Sequence, residues 1–383
     1  MGWTPAAALQ GGMGKDRGTP GPNGAKVASP STTSGTGAEM NRTTYGLDIA
    51  KRVFQMYWVD ADSGEILNRR FSRSELIEFL SKSSPGRVAL EACGSGHWWA
   101  RKIRALGHEA VLLHAKFIRP FVQTNKTDAA DARAIWTAVQ QPGMRTVAVK
   151  SEEQQAVLGL HRVRTQLTKF RTMQIYQLRS LLYEFGVTLR TGRQAGLAEL
   201  QNRMADIEGR VPGVLMNVLR EQLARVHSLD EQISVLEKRI AAWPKQEASC
   251  RSLLAIPGIG PLTASALVAT VGDIRTFKSG RELASFIGLV PQQRGTGGKI
   301  QLGTISKRGD PYLRTLLIHG ARSVLFRSNK PNPWAVELSK RRHANVAVVA
   351  LANKMARTAW AILAHGQAYQ AGYVSTRPRA QMT

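Results

Sequence analysis

The chain has 383 residues, room for two or three domains of ordinary size. Lysine and arginine number 53 against 27 aspartates and glutamates, and the resulting charge of +26 excludes an ordinary near-neutral metabolic enzyme and points to a polyanionic partner whose counterions are released on binding. Hydrophobic residues make up 43%, too many for a disordered basic tail, and two cysteines, Cys93 and Cys250, are too few for a disulfide framework or a cysteine zinc cluster. No apolar run has the length of a membrane span, so the expectation is a nucleic-acid-facing protein of a reducing cytosol, with no membrane partner.

Residues 1–39 are rich in Gly, Pro, Ser, Thr and Ala, with no apolar period and no signal-peptide core. They read as a disordered leader ahead of a start at Met40. From there Tyr45, Leu47 and Ile49 alternate as a strand, and a second alternating strand runs through Val53–Val59. Asp62-Ser63-Gly64 turns the chain into a third strand at Ile66–Phe71, which predicts an antiparallel meander. Then come a helix (Ser74–Leu80), a buried strand (Arg87–Ala92), a helix (His97–Ala105), a strand (Glu109–His114) and a helix around Thr127–Gln140. The order β-β-β-α-β-α-β-α over 40–150 predicts a mixed sheet with helices packed on it.

Over 151–245 the period becomes helical. Leu219, Val226, Ile233 and Ile240 recur every seven residues, interleaved with Leu229 and Leu236 and broken only at Gln222. Such a seam favours a two-stranded coiled coil between chains; the alternative is a helical hairpin within one chain, cornered at Val211-Pro212-Gly213. Residues 246–370 read as helical with Gly-rich interruptions, and 371–383 as a flexible tail. The fold class is thus α/β followed by α.

Four acids carry the first chemical signal. Asp48 ends the first strand and Glu91 the fourth, while Asp128 and Asp131 share one helix face in KTDAADAR. Any one of them reads equally well as a turn or cap residue. Gathered on one sheet they would repel, and hard divalent cations, Mg²⁺ or Mn²⁺, would offset that and serve phosphoryl transfer. The order resembles the RNase H-like fold of RuvC-type resolvases and retroviral-type integrases, which carry metal-binding carboxylates at these places. An actin-like kinase shares the strand order but needs a Gly-rich phosphate turn, and the link here is Ala50-Lys51-Arg52-Val53.

Two further segments suit phosphate. Ile256-Pro257-Gly258-Ile259-Gly260 between apolar helices resembles a helix-hairpin-helix, in which Gly258 and Gly260 would let a DNA backbone approach the next helix's amides. The alternative is a plain Pro/Gly corner. Downstream, Gly295, Thr296, Gly297, Gly298 and Lys299 form a basic, glycine-dense loop, and Ser306-Lys307-Arg308-Gly309 leads into a helix bearing Arg314. Exposed amides, cations (Lys299, Lys307, Arg308, Arg314) and a hydroxyl suit a phosphodiester. The loop is not a Walker A motif, and taken alone it reads as a phosphate-contacting loop.

The strings YGLDIAK, LEACGSG, NKTDAADAR, IPGIGPLTA, GLVPQQRGTGGK and ISKRGDPYLRTLLIHGAR, in this order from Met40 to about His365, resemble the DEDD transposases of bacterial insertion sequence family 110, subgroup 1111. The resemblance implies a RuvC-like N-terminal domain, a coiled coil and a C-terminal transposase domain, acting as a homo-oligomer (dimer or tetramer) on donor and target double-stranded DNA. It implies excision and insertion of an element at sites chosen by a structured guide RNA, with Asp48, Glu91, Asp128 and Asp131 as the metal-binding acids. It further implies a serine nucleophile in the Gly-rich loop. Thr296 stands at the matching position here, with Ser306 as the second choice. A purely hydrolytic RuvC-like nuclease and a nucleic-acid-binding scaffold are the competing readings.

Overall fold

The computed structural model describes residues 42–123, 125, 127–329, 332–371 and 373. The leader expected over 1–39 and most of the expected tail lie outside the described residues. Strands β1 (Thr44–Ile49), β2 (Val53–Val59) and β3 (Ile66–Ser72) form the expected antiparallel meander. β4 (Arg87–Glu91) lies parallel to β1, β5 (Glu109–Leu113) parallel to β4, and β6 (Thr146–Val147) closes the edge antiparallel to β5. The sheet order is β3-β2-β1-β4-β5-β6. β6 escaped the sequence reading because two residues carry no alternation.

Helices α1 (Arg73–Lys82), α2 (Gly96–Ala105), α3 (Ala115–Ile118) and α4 (Asp128–Val139) cover the sheet. α1 starts on a capping box: Ser72 Oγ accepts from the Glu75 amide, and the Glu75 carboxylate accepts from the Ser72 amide at 2.7 Å. One face buries Leu47, Phe54, Met56, Leu90 and Leu112 with Leu76, Leu80, Trp99 and Ile103. The other buries Ala89 and Leu113 with Ala134, Ile135 and Ala138 of α4. Of the Trp98-Trp99 pair, Trp99 is core, edge-on to Phe54 at 4.8 Å, whereas Trp98 is exposed. A mixed sheet with helices on both faces is consistent with an RNase H-like fold.

The next segment holds α5 (Glu152–Glu184), α6 (Arg193–Asn202), α7 (Met204–Glu208) and α8 (Gly213–Gln246). α5 and α8 run antiparallel: Arg164 donates to Glu237 at 2.8 Å, and one helical turn pair further on Arg171 meets Asp230. The seven-residue seam of α8 is filled within the chain. Leu219, Leu223 and Val226 bury against Ile175, Leu178 and Leu182 of α5. This corrects the expectation of a seam between two chains: the period specifies an apolar helix face that needs a partner, not which chain supplies it. Val211-Pro212-Gly213 opens α8 rather than forming the corner, which is the longer stretch holding α6 and α7.

The C-terminal region comprises α9 (Ala248–Leu253), α10 (Pro261–Val271), α11 (Gly280–Ile287), β7 (Pro291–Thr296), β8 (Lys299–Ile305), α12 (Pro311–Phe326), α13 (Pro333–Arg341) and α14 (Ala344–His365). Its core joins Leu267, Leu283, Ile287, Leu313, Leu317, Leu351 and Met355. By length and composition α14 alone among the described helices would cross a membrane, but Ala347, Leu351, Met355 and Ile362 line this core. α5 is tied to the same region by a buried polar joint. Ser265 Oγ donates to the Pro261 carbonyl at 2.7 Å, so it accepts from His161 Nε2 at 3.0 Å. His161 Nδ1 is therefore the acceptor for the Tyr312 hydroxyl at 2.8 Å. Burial, with Arg164 nearby, pushes the imidazole down to about 4, and it is neutral in this joint.

Because α5 of the same chain covers the seam, Leu219→Ala is expected to cost about 2–5 kcal/mol. The lowered denaturation midpoint should not move on dilution, and a concentration-dependent midpoint would return the seam to a partner chain.

Candidate active site

In the β1–β4 register Leu47 lies opposite Leu90. The next residues, Asp48 and Glu91, therefore sit side by side at the carboxyl ends of adjoining parallel strands, where open α/β sheets commonly bind ligands. α4 crosses over β1 because position 46 is glycine: a Cβ there would collide with the Ala132 carbonyl oxygen and stand 2.6 Å from the Trp136 Cβ. Trp136 Nε1 donates to the Thr44 carbonyl at 3.0 Å and fixes the crossing. Gln55, paired with Asp48 across β1–β2, donates to Asn68 at 2.5 Å, and Asn68 donates to the Ala129 carbonyl at 3.3 Å. Thr127 caps α4 by accepting from the Ala130 amide at 3.2 Å. The first turn of α4, with Asp128 and Asp131, is thus pinned beside the strand ends. Gly96 plays the same part for α2, since a Cβ there would stand 2.6 Å from the Glu91 carbonyl oxygen.

The other three acids act on Asp48. Burial, then Asp131, Asp128 and Glu91, raises the Asp48 carboxyl to about 6, and the Ile49 backbone amide offsets only part of this. Among the described residues the one cation within ion-pair distance of the four is Arg70, 3.9 Å from Asp128, and both side chains are largely exposed. Hard oxygen donors carrying uncompensated negative charge fit Mg²⁺ or Mn²⁺ in charge and donor type. Among the described residues no three ligating side chains converge on one point, so the fit is one of charge and chemistry, with side-chain rotation needed to close it.

The Gly-rich segment is a hairpin rather than a loop. β7 and β8 pair antiparallel with Thr296 opposite Lys299. Gly297 (φ 57°) and Gly298 (φ 80°) make the two-residue turn, whose left-handed backbone at both positions suits glycine. Thr296 and Lys299 are exposed at the tip. Ser306 sits at the neck, where its amide donates to the Val290 carbonyl at 2.8 Å and its hydroxyl is buried without a partner. That hydroxyl cannot meet a phosphate unless the neck opens, which counts against it as a nucleophile. Lys307, exposed with Arg308, is the one described non-glycine residue with positive φ, at 51°. Arg314 is turned inward and donates to the Ile287 carbonyl at 3.0 Å, holding the end of α11.

The expected helix-hairpin-helix divides its glycines. Gly260 is exposed and precedes α10, which lacks a side-chain cap. Gly258 (φ 88°) faces the interior, where a Cβ would stand 2.9 Å from the Gly320 carbonyl oxygen, Val324 and Met355. Glycine at 258 therefore also serves packing, and one backbone it approaches is that of α12. The structure therefore gathers the four acids and leaves Thr296 on a separate element. The Gln55–Asn68 strut was absent from the sequence reading. Its only signal was a glutamine in an otherwise apolar strand.

Sequence similarity supplies the class: a DEDD transposase model of the IS110 group matches residues 45–186, and such enzymes cut and rejoin DNA. The chain belongs to the IS116/IS110/IS902 transposase family, whose model matches residues 250–335. It is 45% identical to a family 20 transposase of Pseudomonas aeruginosa over 87% of this chain and 100% of that protein. It is 38% identical to the transposase of insertion sequence element IS1111A from Coxiella burnetii (85% and 91%) and 37% identical to that of IS1328 from Yersinia enterocolitica (86% and 99%).

The raised Asp48 carboxyl means that the folded state holds this proton more tightly than the unfolded chain. Stability therefore falls as pH rises between 3.8 and about 6 and stays lowered above. Asp48→Asn should raise the thermal midpoint near neutral pH by a few degrees without added metal, with the gain vanishing as pH approaches 3.8. Mg²⁺ should raise the midpoint of the parent chain and not of the variant. Gly46→Ala should cost about 1–3 kcal/mol by overpacking and, by displacing α4, abolish the Mg²⁺ response.

Proposed function

We propose that this transposase excises and inserts an insertion sequence through a covalent protein–DNA intermediate, with Asp48, Glu91, Asp128 and Asp131 as its metal-binding acids and Thr296 as its nucleophile. The observation that carries the reading is the placing of Asp48 and Glu91 at adjoining strand ends beside Asp128 and Asp131 of α4, with Asp48 raised to about 6. Those acids would hold Mg²⁺ or Mn²⁺, which supplies Lewis-acid stabilisation of charge on a transferring phosphate. Thr296 Oγ forms the new bond to phosphorus, the bridging P–O bond to the leaving strand breaks, and the departing DNA oxygen takes up a proton as Thr296 loses one. Rejoining is the reverse with a different strand's hydroxyl. Support for Thr296 is its exposure at a tip with bare amides and Lys299 beside it. Lys307, Arg308 and the exposed Gly260 turn supply backbone contacts.

Site choice is delegated to a structured RNA from the element. Supporting this are a charge of +26 and the absence from the sequence of a base-reading motif. The active form is a homo-oligomer, a dimer or tetramer, which the exposed Phe170, Met173 and Tyr176 along α5 support. The second reading is hydrolysis by water at the acids, and the placement of Thr296 outside the acid cluster favours it.

A denaturing gel separates the two. End-labelled donor DNA incubated with the protein, Mg²⁺ and element-derived RNA should leave label on the protein. Thr296→Ala should abolish the labelled band while Ser306→Ala retains it, and Asp48→Asn should abolish cleavage and transfer together. Cleavage without a protein-bound label would establish the hydrolytic reading, and label formed without RNA would remove the guide.

A further inference from the structure

β7 and β8 form a sheet of their own. From Pro291 to Thr304 every residue except the partly covered Gln292 is exposed, and none belongs to a hydrophobic core. A two-stranded ribbon alone is marginal in water. This one nevertheless exposes two large apolar side chains, Ile300 at 62% and Leu302 at 69%. The register puts Ile300 with Gly295 and Leu302 with Gln293 on one face, and Arg294, Thr296, Lys299 and Gln301 on the other. The ribbon is therefore two-sided, with an apolar face and a basic face, and neither has a partner among the described residues.

Charge selects the partner. From Pro291 to Gly309 the sequence carries Arg294, Lys299, Lys307 and Arg308 and no carboxylate. A surface with four cations, no acid and an apolar stripe suits a duplex, whose phosphates flank apolar sugars and base faces. Two-stranded ribbons enter DNA grooves, and apolar side chains wedged at a base step unstack it. We propose that the β7–β8 hairpin is a DNA-opening arm: Ile300 and Leu302 wedge at a deformable pyrimidine–purine step while Arg294 and Lys299 hold the adjoining phosphates. Glycines at 295, 297 and 298 keep the tip thin enough to enter a groove. The wedge melts the step locally, which frees a strand for exchange. The inference rests on the chain being a DNA-acting transposase and not on Thr296 being the nucleophile.

The test uses the full chain, without metal so that no cleavage intervenes, and a short duplex with 2-aminopurine at a central TA step. Binding should raise the fluorescence several-fold as the base leaves the stack. Ile300→Ser with Leu302→Ser should bind within about threefold of the parent, melt at the same temperature, and lose the rise; Leu302→Ser alone should lose part of it. Arg294→Ala with Lys299→Ala should weaken binding and lower the logarithmic salt slope by about 2. Binding without a rise in the parent chain, or a full rise in the double serine variant, overturns the proposal. So does a serine variant that changes the protein's mass in light scattering, which would show that the apolar face covers another protein surface. Failure of the covalent-label experiment alongside a normal fluorescence rise would remove the nucleophile assignment and leave the arm.

Discussion

The burial of Asp48 beside three further carboxylates is the constraint around which the N-terminal half is arranged. Parallel pairing brings Asp48 and Glu91 together, and α4 adds Asp128 and Asp131, although burial and like charge make the ionised Asp48 unfavourable. The scaffold around the cluster is closely fitted. The glycines at 46 and 96 let two helices close on the strand ends, Trp136 fixes the crossing, and the Gln55–Asn68 strut holds the start of α4. The energy cost at the strand ends is offset by packing on both faces of the sheet, where Phe54, Trp99 and Ile135 are almost wholly buried.

The C-terminal region solves the opposite problem. It presents cations and backbone on short, glycine-punctuated elements over a core of apolar helices. Gly288 (φ 80°) ends α11 in the left-handed conformation, and Gly309 (φ 92°) allows the turn before α12 to pass close to the Phe286 carbonyl. Lys307 and Arg308 are carried outward by that turn, whereas Arg314, one helical turn later, is recruited inward to the Ile287 carbonyl.

What could be read from the sequence follows the strength of the local pattern. The meander and the succession of strands and helices in the sheet were legible, because the apolar, β-prone run Val53–Val59 and the Asp62-Ser63-Gly64 turn after it are local signals. The short β6 was not, since its pairing is wholly tertiary. The heptad seam in α8 was legible as an apolar face, but its partner was not: α5 lies more than thirty residues away in sequence. Glycines were the hardest to assign. Gly258 and Gly260 look alike in IPGIG, yet one packs against α12 and the other meets solvent. A glycine announces close approach without naming what approaches. The acids were legible as a set because two end neighbouring strands and two share the first turn of one helix, whereas Gln55 showed only as an oddity in an apolar strand.

The joint of His161, Ser265 and Tyr312 bears on how such a chain can be recombined from its relatives. It ties α5, which follows the sheet directly, to α10 and α12 far downstream. A chimera cut at residue 246, where the helical region gives way to the C-terminal one, would divide that set between two parents. A cut before Ser151, at the capping box that starts α5, leaves it whole. A chimera that keeps the joint therefore takes α5 to α14 from one parent.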